Sequence, residues 1–190
     1  RRTGELNLQE ISDTLDTLYL ARKLRHACTQ LSHKAVYDTR YDFGLLPHLL
    51  TAVETEGHLD TPAVAVYYYC YRFLTEAYHL EYFQQFKHQL FTHGDLFPEE
   101  ELRDLYLLAI NFCIRQLNEG SLPFTREGWE LYQEALSKGV LLENGRMSIF
   151  TFDNIVGFGI KLAAYGEVET FIAAYQDRLE AARRESTVHF

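Results

Sequence analysis

Polar side chains recur in step along this chain. Arg25, Tyr68, Asn111 and Asn154 stand 43 residues apart, and one helical turn further on come Thr29, Arg72, Arg115 and Phe158. Guanidinium groups pair carboxylates through parallel charge-assisted hydrogen bonds. Amide side chains both donate to and accept from a peptide backbone. A ladder of this composition suits gripping an extended partner rather than breaking a bond. Asparagine is also a poor helix former, so two of them in one register ask for a reason. The expected partner-binding residues are therefore Arg25, Tyr68, Arg72, Asn111, Arg115 and Asn154. The competing expectation is that these groups bond across adjacent helices and only fix their stacking.

Other chemistry is thinly provided for. Cys28, Cys70 and Cys113 each lie in an apolar stretch, and an odd count does not make a disulfide framework. Their surroundings suit small core residues in a reducing compartment. Cys28 has His26 two residues away, a spacing that points the two side chains in different directions on a helix. His88 and His93 are about 140° apart around a helix, so they do not converge as zinc ligands must. Glu76 with Glu81, and Glu127 with Glu130 and Glu134, fit solvated helix faces. There is no phosphate loop, dinucleotide fingerprint, HExxH, CxxC pair or GxSxG elbow. The expectation is a protein that is not an enzyme, with no cofactor and no metal.

The elements that must carry the polar ladder are helices. Small or apolar residues share its period: Ala27, Cys70, Cys113 and Val156; Leu31, Leu74, Leu117 and Ile160; Phe43, Phe86, Trp129 and Ile172. A fixed period of this length is the mark of an α-solenoid, whose units bury their apolar faces on one another. The chain reads as all-α, one domain over 1–190, with about four antiparallel hairpins at 8–57, 62–93, 98–142 and 151–182 in a right-handed superhelix. Gly57, Gly94 and Gly120 end helices. Thr61-Pro62 and Pro98-Glu99-Glu100-Glu101 start them, the carboxylates complementing the helix dipole. Asn144-Gly145 is a turn signal, and Gly166 is expected to make the tight corner of the last hairpin. The run Tyr67–Tyr71 must point hydroxyls in several directions, most of them into packed surroundings. The end, Ser186–Phe190, reads as frayed.

The hairpin from Phe152 to Ala182, with its corner Ala163-Ala164-Tyr165-Gly166-Glu167-Val168-Glu169, resembles the tetratricopeptide-like and pentatricopeptide-like repeats. The longer period and the missing Trp, Leu-Gly, Tyr and Pro positions make it a divergent relative. The resemblance implies a TPR-like superhelix that serves as a protein-binding scaffold.

The bulk numbers agree with this reading. The net charge is −9, which repels phosphate backbones, so nucleic acid is not an expected partner. An RNA-reading array of pentatricopeptide type would rest on Asn111 and Asn154 alone. No run of eighteen apolar residues exists to span a membrane. The chain opens Arg1-Arg2-Thr3-Gly4 with no apolar h-region after it, and Met147 is its sole methionine. It therefore reads as a piece of a longer, cytoplasmic bacterial protein. The expected function is a protein-interaction scaffold that binds a peptide or helix on its concave face. The alternative is a structural spacer or an oligomerisation surface, with a homo-oligomer in view.

Overall fold

The computed structural model describes residues 3–37 and 41–179, the side chains of 3–6 and 35–37 excepted. Among the described residues there are eight α-helices and no strand. They are α1 Thr3–Tyr37, α2 Leu46–Thr55, α3 Pro62–Thr75, α4 Leu80–His93, α5 Glu99–Asn118, α6 Phe124–Ser137, α7 Ile149–Lys161 and α8 Tyr165–Tyr175. Contacts divide the chain into two compact units, the first ending at Leu96 and the second starting at Phe97.

In the first unit α3 is the central element, packed on α4 and α1. Its sequence explains this. Val64, Ala65, Val66, Tyr67, Tyr68, Cys70 and Phe73 are all buried, apolar nearly all round as a central helix must be. Phe73 meets the edges of Phe83 and Phe86, at centroid distances of 5.1 and 5.0 Å. Helix α1 contributes Leu20, Leu24, Ala27 and Cys28. It packs chiefly on α3 and only slightly on α2, so the expected pairing of the first two helices is a minor contact. At 35 residues α1 starts ahead of residue 8, where the first hairpin is expected to begin, and runs to Tyr37 with no glycine or proline after Gly4.

In the second unit α5 packs on α6, α6 on α7 and α7 on α8. Helices α5, α6 and α7 end in the same device. The amide of Gly120 bonds Leu117 and that of Ser121 bonds Gln116; Gly139 and Val140 repeat the pattern on Leu136 and Ala135; Ala163 and Ala164 repeat it on Ile160 and Gly159. This is the Schellman motif, which needs a left-handed residue after the helix. Gly120 and Gly139 supply it at φ 92° and 72°, but at the third site the residue is Ala163, at φ 56°. The corner of the last hairpin is therefore Ala163, not Gly166, which lies inside α8.

The connection from α6 to α7 is pinned. Asn144 and Gly145 both have positive φ, as a type I′ turn requires, and Glu143 and Arg146 exchange both backbone hydrogen bonds across it. Met147 is fully buried, and its amide donates to the carbonyl of Arg178 at 2.9 Å. Helix α6 stops at Ser137, short of the expected Leu142. The expected stretch from Glu180 through Ala182 and the tail Ser186–Phe190 lie outside the described residues.

Candidate functional site

Arg72 sits near the C-terminal end of α3 and is drawn into a closed polar circuit. Its Nη1 donates to Glu54 Oε1 at 2.7 Å and to the Tyr68 hydroxyl at 2.8 Å. Tyr68 in turn donates to Glu54 at 2.7 Å. Arg72 Nη2 donates to the Tyr82 hydroxyl, and the guanidinium lies 4.4 Å from the Tyr82 ring centroid. Arg72 Nε lies 2.9 Å from Glu76 Oε1, a charge contact without hydrogen-bond alignment. The circuit ties α2, α3 and α4 together.

The electrostatics match that geometry. Burial works against the Arg72 charge, but Tyr68, Glu76 and Tyr82 more than offset it, and the pKa rises. Burial, then the bond to Glu54, pushes the Tyr68 phenol well above the usual tyrosine range. Of the circuit's members only Tyr68 and Arg72 stand out in the sequence. Glu76, expected on a solvated helix face, is instead half-buried against Arg72 at the end of α3. Glu54 and Tyr82 sit on other helices, and no local spacing points to them.

Asn154 is engaged as well. Its side chain lies beside the hydroxyl of Tyr132, a ring on α6 that is 2% exposed. Burial raises the Tyr132 pKa, and the Asn154 side chain acts in the opposite direction. Asn111 is exposed on α5. Arg115 is half-buried, with its guanidinium 5.8 Å from the Phe112 ring centroid. These three belong to the second unit. Of the six expected partner-binding residues, the structure thus brings Tyr68 and Arg72 together and gives Asn154 a neighbour within the fold.

Arg25 lies on the outer face of α1. With Tyr19, Arg22, Lys23, His26 and Thr29 it lines a groove of about 450 Å³. N-terminal to this groove, every described side chain from Asn7 to Tyr19 is exposed except that of Thr17, which is half-buried. Within that stretch Leu8, Ile11, Leu15 and Leu18 are 69, 49, 60 and 61% exposed. Their spacing of three, four and three residues makes a straight row along the helix. At about 100° per residue this row lies roughly opposite Leu20, Leu24, Ala27 and Cys28, the residues that face the core. Helix α1 thus has two apolar faces, and only the inner one is covered. No sequence signal separates them, since both read as helix-spaced leucines.

A second groove, of about 670 Å³, opens in the second unit between α6, α7 and α8. Trp129, Leu136, Ile155, Phe171 and Tyr175 line it. Its one charged lining residue among those described, Glu167, accepts from Gln133 Nε2 at 2.7 Å. Such a lining would take an apolar side chain of a partner rather than an anion.

What the fold and these surfaces define is an all-helical protein with an uncovered apolar row on its first helix. Among the described residues no three His, Cys, Asp or Glu side chains group as a metal site, and no helix is long and apolar enough to cross a membrane. Comparison with known protein families, with curated proteins and with solved structures finds no match.

Proposed function

We propose that the protein is a non-catalytic interaction module, a helical scaffold of divergent tetratricopeptide-like type, and that it docks a partner protein on the outer face of α1. The observation that carries this reading is the exposed row Leu8, Ile11, Leu15 and Leu18. A helical stretch of that length without tertiary contacts is marginal in water. Four large apolar side chains in one seam lower the free energy only when a partner buries them, by about 25 cal/mol per Å² of apolar surface covered. The seam has the 3–4 spacing of a helix-on-helix contact. The concave-face version of the idea is weaker, since Arg72, Tyr68 and Asn154 already serve contacts within the fold.

The test is affinity capture from the lysate of the native host, with the protein beside its Ile11→Lys, Leu15→Lys variant. Both positions are exposed, so the variant keeps its fold, which circular dichroism checks. A protein held by the first bait and lost by the second fits the proposal. The same proteins on both baits, or none on either, overturns it.

A further inference from the structure

The outer face of α1 changes chemistry along its length. The row Leu8, Ile11, Leu15 and Leu18 runs on into Arg22, His26 and Thr29 on the same side of the helix, with Lys23 at its flank. The whole strip from Leu8 to Thr29 is about 32 Å long. Between Thr3 and Ala21 the sequence has no basic residue, whereas Arg22, Lys23, Arg25 and His26 follow within five positions. In a chain of net charge −9 this is a concentrated cationic patch placed end-on to an apolar one.

We propose that the occupant of this strip is an amphipathic helix of another protein, one that presents a leucine-type seam followed by carboxylates. The seam covers Leu8, Ile11, Leu15 and Leu18, and the carboxylates meet Arg22, Lys23 and His26. This rests on the reading of α1 as a docking helix and adds the partner's chemistry and direction. Charge complementarity argues against the other occupants. A second copy laid parallel sets Arg22 against Arg22. Laid antiparallel with seam on seam, it sets Leu8 opposite Leu18 and carries Arg22 to the level of Gly4 and Glu5, where a single carboxylate stands. Neither arrangement brings a row of carboxylates to the cationic turns. An anionic membrane would attract those turns, but Glu10, Asp13 and Asp16 on the same helix offset the charge of Arg22, Lys23 and Arg25, which leaves little net attraction for a charged surface. Complementary charge on a rim also fixes register and direction, which an apolar seam alone leaves open.

The experiment uses three labelled helical peptides of one leucine-seam design, whose flanking residues are glutamate, lysine or glutamine in the turns that would meet Arg22 and Lys23. Fluorescence anisotropy gives their affinities for the protein and for its Arg22→Glu, Lys23→Glu variant. Two desolvated charge contacts correspond to a preference for the glutamate peptide of about tenfold or more, reversed in favour of the lysine peptide in the variant. Equal binding of all three peptides to both proteins overturns the partner chemistry and leaves the seam standing. No binding of any peptide, or binding unchanged by Ile11→Lys, Leu15→Lys, overturns the seam as well. Sedimentation of the protein alone supplies a further arm. A dimer abolished by Leu15→Lys would give the strip to a second copy and refute the proposal. So would tighter binding to vesicles of phosphatidylcholine and phosphatidylserine than to any peptide.

Discussion

The ring of Phe158 fills the space that a side chain at Gly128 would need. A Cβ at Gly128 would lie 2.8 Å from Phe158 Cζ, and closer still to Cε1. One residue on, the relation reverses. A Cβ at Gly159 would lie 2.9 Å from Trp129 Cζ3 and closer still to Val168 Cγ2. Helices α6 and α7 thus exchange an aromatic ring for a glycine in each direction, which sets how closely they approach.

Replacing Gly128 by alanine tests that packing. Glycine to alanine inside a helix ordinarily stabilises by about 1 kcal/mol. Here the sign reverses, because the added methyl displaces a buried ring, and overpacking costs about 1–3 kcal/mol. Urea unfolding followed by the fluorescence of Trp129, the sole tryptophan, reads the change. A Gly128→Ala, Phe158→Leu double variant recovers part of the loss. An alanine variant as stable as the native protein contradicts the packing described.

The Arg72 circuit makes a second prediction. Arg72→Ala removes hydrogen bonds to Glu54, Tyr68 and Tyr82 and is expected to cost about 1–3 kcal/mol. Arg72→Glu costs more, since it adds a third carboxylate beside Glu54 and Glu76. Arg115→Glu removes a guanidinium that lies 5.8 Å from the Phe112 ring centroid and is expected to stay within about 1 kcal/mol. Equal effects at the two arginines in chemical denaturation would show that the circuit contributes nothing.

Ala163 and Gly166 form a natural exchange. Ala163 holds a left-handed conformation that costs a residue with a Cβ about 1–2 kcal/mol. Gly166 lies in α8, with open space around its missing Cβ. Ala163→Gly and Gly166→Ala should each raise stability by about 0.5–1 kcal/mol, seen as a higher melting temperature. A loss of stability from Ala163→Gly would deny the Schellman ending of α7.

Alkaline pH should destabilise the protein through Tyr68 and Tyr132. Both phenols titrate above the ordinary tyrosine value of about 10, chiefly because burial disfavours the charged form. Below that pH the phenols are neutral in both states and stability is unaffected. As pH rises through about 10 the unfolded chain releases its phenolic protons while these two folded groups keep theirs, so unfolding is favoured and stability falls. Urea midpoints measured from neutral pH to about pH 11 give the slope. A Tyr68→Phe, Tyr132→Phe variant should fall less steeply, and an unchanged slope would discount both groups.

Much of the local structure was legible in the residues. Thr61-Pro62 opens α3 with proline at its first position, and Gly57 and Gly120 adopt positive φ just past helix ends. Asn144-Gly145 makes the expected turn. These features depend on one to five consecutive residues and on backbone sterics, so the sequence alone determines them, along with the all-helical class. The small residues Ala27, Cys70 and Cys113 are buried, but Val156, the fourth of that register, is only half-buried, and Ile160 of the neighbouring register is 51% exposed.

The tertiary structure decided everything that needs two distant segments. Arg72 and Asn154 looked like outward-facing recognition residues, because a polar residue on a helix carries no mark of which neighbour will face it. Glu54, Tyr82 and Tyr132 answer that only once the helices are packed. The same holds for the left-handed residue at the last corner, where the cooperative ending of α7 outweighed the backbone preference that favours Gly166. It holds most of all for α1. Its apolar residues carry no mark in sequence of which will be covered: α3 packs against Leu20, Leu24, Ala27 and Cys28, whereas nothing among the described residues covers the stretch that holds Leu8, Ile11, Leu15 and Leu18.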